Sequence, residues 1–208
     1  MGRPRRHDLD GLLDHARRLW VGDGVDAVTT RALTTASGAS NGAIYHAFGS
    51  RDGLLARVWA READTFLAFQ RRQVEHADDP TAAVVAAALA PARYAEQDAD
   101  AARLLLTTGA DRLTTPELDD EGRALLQRLR DDLGVLLAEL AEALWERRDR
   151  IAVTTVRYCV VDLPGALLLQ GDDLDDRVAH HALEHAVRGV VAVPPPERDA
   201  GVGRRTDP

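Results

Sequence analysis

Residues 29–55 read TTRALTTASGASNGAIYHAFGSRDGLL, and this stretch decides the fold. Thr29 suits a helix N-cap, because its hydroxyl can accept from an N–H that the first turn leaves unpaired. A short helix is predicted from there through Ser37, with Leu33 and Ala36 turned inward and Gly38 ending it. Ser40 caps a second helix, Asn41 to Phe48. Ser50 caps a long third, which carries Leu54, Leu55, Val58, Trp59, Phe66 and Phe69 and stops before Asp78, Asp79 and Pro80. At about 100° per residue, Ala43, Ile44, Ala47 and Phe48 fall on one arc of the middle helix, and Asn41, Gly42, Tyr45 and His46 on the other. Two turns are not stable alone, so the apolar arc must pack on its neighbours and the polar arc is held outward. That arc can enter a DNA major groove: small residues allow close approach, Asn can pair bidentately with adenine, and Tyr and Ser hydroxyls reach phosphates. Taken singly, Tyr45 would read as a packing aromatic and His46 as an ordinary surface residue. Two short helices joined by the tight turn Ala-Ser-Gly-Ala-Ser at 36–40 form a helix-turn-helix.

Outward from this segment the apolar residues keep helical spacing almost throughout, with no period-2 alternation bounded by hairpin turns, so the chain is read as all-α. A first helix carries Leu9, Leu12, Leu13, Ala16, Leu19 and Trp20 and ends at Gly22 and Gly24. Helices of about 80–96, 99–108, 116–147, 150–170 and 174–192 follow, with Thr115 and Pro116 the clearest start. Pro91 and Pro164 should kink or break their helices. A tail from Pro194 is expected to lack fixed structure. The domain reading is 1–50 for the DNA-facing unit, 51–193 for a larger helical unit and 194–208 for the tail.

The chain has 208 residues, 45% of them hydrophobic, enough for a substantial core. Its one cysteine, Cys159, cannot form an internal disulfide; no signal-type apolar run follows Met1, and no run of about 18 apolar residues suggests a membrane span. A cytoplasmic protein with no membrane partner is expected. The net charge of −8 argues against nucleic acid until it is divided. Residues 1–60 hold 8 Arg against 6 Asp, whereas residues 61–208 hold 18 Arg against 28 acidic residues. Arg3, Arg5 and Arg6 make a basic N-terminal arm of the kind that reaches DNA phosphates or the minor groove; the alternative is charge for solubility. All 26 basic residues are arginine, which genome composition explains most simply.

Thr29 through Leu55 resembles the DNA-binding segment of the TetR family of bacterial transcriptional regulators. The resemblance rests on Thr29, Arg31, Leu33, Gly38, Ser40, Gly42, Ile44, Tyr45, Phe48, Ser50, Leu54 and Leu55 in one ungapped register. It implies a homodimer with an N-terminal three-helix DNA-binding domain and a larger helical domain that pairs subunits and binds a small-molecule effector. It further points to a regulator, read here as a repressor released by that effector from a pseudo-palindromic double-stranded DNA operator; the alternatives are an effector-independent DNA-binding protein or a regulator controlled by a protein partner. The implied DNA-binding residues are Thr29, Thr30, Arg31, Ser40, Asn41, Gly42, Tyr45, His46 and Arg51, with the arm. Thr30, Ala32 and Thr34 depart from the common pattern and put the firmness of the first short helix in doubt.

From the same resemblance an effector cavity is expected between the fourth and eighth helices, with Trp59, Phe66, Phe69, Tyr94, Tyr158 and Cys159 as candidate lining; such aromatics are more often core. The last helix sets Val178, Ala179, Ala182, Leu183, Ala186, Val187, Val190 and Val191 in two adjacent apolar rows of small side chains. With Val160 and Leu167 these are the candidate dimer interface, the alternative being packing within one subunit. On the same helix His181 and His185 have the i, i+4 spacing of metal ligands, but a third ligand is missing, so no metal and no cofactor is expected. The acidic cluster Asp172, Asp173, Asp175 and Asp176 reads as capping charge. No phosphate loop, nucleophile elbow or metal triad is present, so an enzyme is not expected.

Overall fold

The computed structural model describes residues 6–168 and 174–197, and the side chains from residue 9 onward within them. Arg3, Arg5, Asp172 and Asp173 therefore lie outside the described residues, as does the Arg6 side chain. Every regular element among the described residues is helical. In chain order these are α1 (Arg6–Asp23), a 3-10 turn (Val25–Ala27), α2 (Thr30–Ser37), α3 (Asn41–Phe48), α4 (Arg51–Glu75) and α5 (Pro80–Thr107). Then come α6 (Ala110–Leu113), α7 (Asp120–Trp145), α8 (Arg150–Arg157), a π-helical turn (Tyr158–Asp162), α9 (Leu163–Leu168) and α10 (Arg177–Val191).

Local chemistry accounts for the boundaries. Thr29, Ser40 and Ser50 each accept from a first-turn N–H, at 3.1, 3.2 and 3.0 Å. Gly38 ends α2 with φ +72°, a left-handed conformation that glycine adopts without a Cβ penalty. Other boundaries differ from expectation. The helices read as 80–96 and 99–108 are one element interrupted by a non-helical residue, Asp98, while the backbone stays helical through Pro91. Asp98 decides this, because its carboxylate accepts from Ala101 N at 2.9 Å and restarts the helix as an internal N-cap. The helix placed at Pro116 begins at Asp120 instead, because Asp119 takes the cap by accepting from Gly122 N at 2.7 Å. Pro116 lies in a turn after the unforeseen α6. Before Pro164 the helix widens into the π turn, a local answer to a residue that has no N–H to return. Asp176 caps α10, three residues later than expected.

Two apolar clusters form the interior. One joins Leu12, Ala16 and Trp20 of α1, Leu33 of α2, Ile44 and Phe48 of α3 and the first half of α4. Leu104, Leu113, Leu118, Leu126 and Leu129 complete it, so packing does not break at residue 50. The second joins α4, α5, α7, α8, the π turn, α9 and α10 around Phe69, Tyr94, Leu136, Leu140, Val156 and Leu183. Ala36 and Ala43, expected inside, are exposed, since the buried strips of α2 and α3 are only as wide as Leu33, Ile44 and Phe48.

The segment Arg150–Leu168 is long and apolar enough to cross a membrane by length and composition, contrary to the sequence reading. Its residues Ala152, Val156, Cys159, Val160 and Leu168 belong to the second cluster. The tail expected to be unstructured from Pro194 is held at its start, where Arg147 donates to the carbonyls of Pro195 and Pro196 at 2.7 and 3.2 Å.

Candidate nucleic-acid interface

The surface made by α2, α3 and the start of α4 brings most of the predicted DNA-facing residues together. Ile44 and Phe48 anchor α3 in the core, leaving Asn41, Gly42, Tyr45 and His46 exposed, with Tyr45 at 72%. An aromatic ring that exposed gains nothing from packing, so the packing alternative for Tyr45 fails. Thr30, Asn41, Ile44, Tyr45, Ser50, Arg51 and Leu54 line a cleft of about 280 Å³. The first residues of α2, α3 and α4 thus meet at one place, where helix dipoles and unpaired N–H groups favour an anion. Thr29 and Ser40 accept through their oxygens as caps, which leaves each hydroxyl proton available to donate.

The doubt about α2 resolves at its side chains. Thr34 and Thr35 donate to the Arg31 carbonyl at 2.7 and 3.0 Å, and Ser37 to Leu33 O at 2.6 Å. These hydroxyls are satisfied within the helix rather than presented outward. Arg31 is exposed on the same helix.

Arg51 differs from expectation. Its Nε donates to Val28 O at 2.7 Å and one Nη to Val25 O at 2.5 Å, with Asp26 at 3.7 Å. Two of its five N–H donors therefore tie the 3-10 turn to α4, and the other three, on both terminal nitrogens, are left for a phosphate.

Behind this face lies a polar frame that spacing could not reveal. Asp52 accepts from Thr115 Oγ1 at 2.6 Å, and Arg57 pairs with Asp119 at 3.3 Å and Glu121 at 2.6 Å. Burial opposes the charge on Asp119, but the Gly122 N–H and Arg57 outweigh it and hold its carboxyl below the usual carboxylate range. Trp59 donates from Nε1 to Thr108 O at 2.5 Å, so it bridges α4 to the end of α5 rather than lining a pocket. Farther along, Arg17 of α1 reaches both oxygens of Asp98 from Nη2 at 2.6 Å. Its Nε lies 3.2 Å from Glu62 Oε2, an ion-pair contact without hydrogen-bond geometry. Burial disfavours the Arg17 charge, yet Asp98 and Glu62 together raise its pKa above the ordinary value.

Among the described residues, the expected effector residues line neither of the two best-formed clefts. Phe66 and Phe69 pack on the Tyr94 ring at 5.5 and 5.2 Å in the core. Tyr158 is 54% exposed and is corrected to a surface residue. Cys159 is fully buried, and burial pushes its thiol up to about 11. Alkylation of the native chain by iodoacetamide at pH 8 should accordingly be negligible and appear only on unfolding, as mass spectrometry would record. Gln70, which the sequence reading missed because a mid-helix amide carries no signal, is buried between α4 and α5. It donates from Nε2 to Ala87 O at 2.9 Å, and its Oε1 has no partner.

The candidate dimer residues divide. Val160, Leu183 and Val187 are buried in their own subunit's core and are corrected to internal packing. Val178, Ala182 and Val190 are exposed, and Leu167, Ala179 and Ala186 are half-buried. One row of α10 packs inward and the other stays open.

The family model described as bacterial regulatory proteins, tetR family, matches residues 12–58. No curated protein matches the chain in sequence. Among solved structures, the superantigen PfiT is similar at 21% identity over 89% of this chain and 96% of that one, with a TM-score of 0.64. The TetR family transcriptional regulator PfmR from Thermus thermophilus is 21% identical over 90% of this chain and 99% of its own, with a TM-score of 0.61. AibR, solved with isovaleryl coenzyme A and operator DNA, is 14% identical over 91% and 100% of the two chains, with a TM-score of 0.62. Residues 12–58, from α1 into α4, thus match the model of the tetR family of bacterial regulatory proteins, and the solved structures share the helical fold of the chain as a whole.

Proposed function

We propose that the protein is a cytoplasmic, homodimeric transcriptional repressor that binds a pseudo-palindromic operator and is released by a small-molecule effector. The observation that carries the DNA-binding reading is the α3 face, with Asn41, Tyr45 and His46 outward beside a cleft where three helix starts meet. Asn41 and His46 read base edges. Thr29, Thr30, Ser40 and Tyr45 hold phosphates, Gly42 permits close approach, and Arg31 with the arm residues Arg3, Arg5 and Arg6 adds backbone contacts. Arg51 acts mainly by holding the 3-10 turn. In a dimer two such helices would sit about one DNA turn apart, roughly 34–36 Å. The open row of α10, Val178, Ala182 and Val190 with Ala186, supports pairing of two copies alongside Leu167 of α9.

Selection of a bound duplex from a random library, followed by gel shifts at several salt concentrations, tests this. Tyr45→Phe should weaken binding at least about 10-fold whatever the sequence, since a hydrogen bond to a charged phosphate is worth about 1.5–3 kcal/mol. Asn41→Ala should change the preferred base at one position, at about 1–3 kcal/mol. Unchanged affinity in both variants would sink the docking. Effector release is tested on the selected duplex, beginning with acyl-coenzyme A thioesters because AibR is solved with one.

A second reading, a regulator not controlled by a small molecule, is favoured by one observation. Phe66, Phe69, Tyr94 and Cys159 are packed into the core, and the two clefts described, of about 280 and 220 Å³, open elsewhere.

A further inference from the structure

Helix α10 turns Leu183, Val187 and Val191 into the core. On its opposite side, at about 100° per residue, His185 falls within about 20° of Val178 and His181 within about 60°. The two imidazoles therefore lie on the side that carries Val178, which is 75% exposed, and Ala182. Their ring centroids are 4.0 Å apart. His185 Nδ1 lies 2.9 Å from the carbonyl oxygen of His181. A carbonyl only accepts, so Nδ1 carries the proton and Nε2 of the neutral ring carries the lone pair. An imidazole tied by Nδ1 to a backbone carbonyl is oriented as metal-bound histidines are. His180 takes no part, because its Nε2 donates to Leu174 O at 2.7 Å. Glu184, the nearest carboxylate in sequence, is paired with Arg188 at 3.0 Å.

We propose that His181 and His185 bind a divalent transition metal of the Zn²⁺, Ni²⁺ or Cu²⁺ class on this face, and that the same pair from a second copy completes the site. Imidazole suits those ions, and two nitrogens are half of a tetrahedral set. The sharing rests on the homodimer reading above; the chelating pair itself does not.

The test uses the full-length chain without a histidine tag, stripped with chelator and first sedimented without metal. Titration with Zn²⁺ alone should give one ion per two chains. Loss of an outer hydrogen-bond partner of such a ligand costs about 10–100-fold, so His181→Ala and His185→Ala should each weaken binding at least about tenfold. Glu184→Gln should leave it unchanged. Both histidines are exposed, and an unaltered circular dichroism spectrum verifies that the variants fold. No binding, one ion per chain, or binding that survives His185→Ala overturns the proposal. A chain that sediments as a monomer without metal overturns the dimer reading separately.

Discussion

Gly53→Ala is expected to destabilise the protein by on the order of 3–4 kcal/mol and to abolish the proposed operator binding, although alanine is the better helix former by about 1 kcal/mol. Gly53 lies in the first turn of α4, and a Cβ there would stand 2.2 Å from the carbonyl oxygen of Phe48. Phe48 closes α3, and its ring is buried beside Ile44. Relief of the clash must therefore move either the end of α3 or the start of α4. The second is held by Ser50 at its cap and by Arg57, whose Nη1 donates to Gly53 O at 3.0 Å. At this chain length each kcal/mol moves Tm by about 2–4 °C, so a fall of roughly 10 °C is expected by calorimetry. Gly134→Ala in α7 is the control, since a Cβ there meets nothing within 4 Å. It should stabilise by about 0.5–1 kcal/mol. If Gly53→Ala also stabilises, the close approach of α4 to α3 is not what requires glycine.

Arg17→Ala is expected to cost about 2–4 kcal/mol, somewhat under the loss for breaking a fully buried ion pair because Arg17 keeps some exposure. The variant leaves Glu62, only 7% exposed, with Arg61, whose Nε is 3.4 Å away, as its one remaining cation among the described residues. It also frees Asp98 from its partner on α1. Asp98→Ala should cost less, about 1–2 kcal/mol, through the lost cap on the second half of α5 and one side of the pair. The double variant should be less destabilised than the sum of the singles by about 1 kcal/mol or more, since the two groups share one contact. Additive losses from urea titrations would show that α1 and the α5 interruption are not coupled. The interest lies in position: Arg17 belongs to the helix-turn-helix unit, and Asp98 is where the long α5 bends. A change in that bend has a direct polar link to the unit that carries the recognition helix.

Much of the candidate DNA-facing surface was legible because its determinants are local. Caps act within three residues, Gly38 ends α2 at itself, and the two arcs of α3 follow from a fixed turn per residue. Hence Thr29, Ser40 and Ser50 could be placed as caps, and Tyr45 as outward, from neighbours alone. Where the reading failed, the competing force was not local. Pro116 is a good first helical residue, yet Asp119 won because its carboxylate also meets Arg57 from α4. Pro91 should have broken α5, yet the non-helical residue is Asp98, whose carboxylate also binds Arg17 across 81 residues of chain.

The all-helical class, the helix-turn-helix and the polar face of α3 are determined by the sequence itself, since hydrophobic period, caps and turn glycines each act over a few residues. Only the tertiary structure decides which of two apolar rows on α10 is spent inside the subunit, how Arg51 divides its donors, and how the first half of α4 is shared between the recognition unit and the rest. Those outcomes depend on which distant surfaces meet, and burial and ion pairing between residues tens of positions apart leave no mark on local spacing.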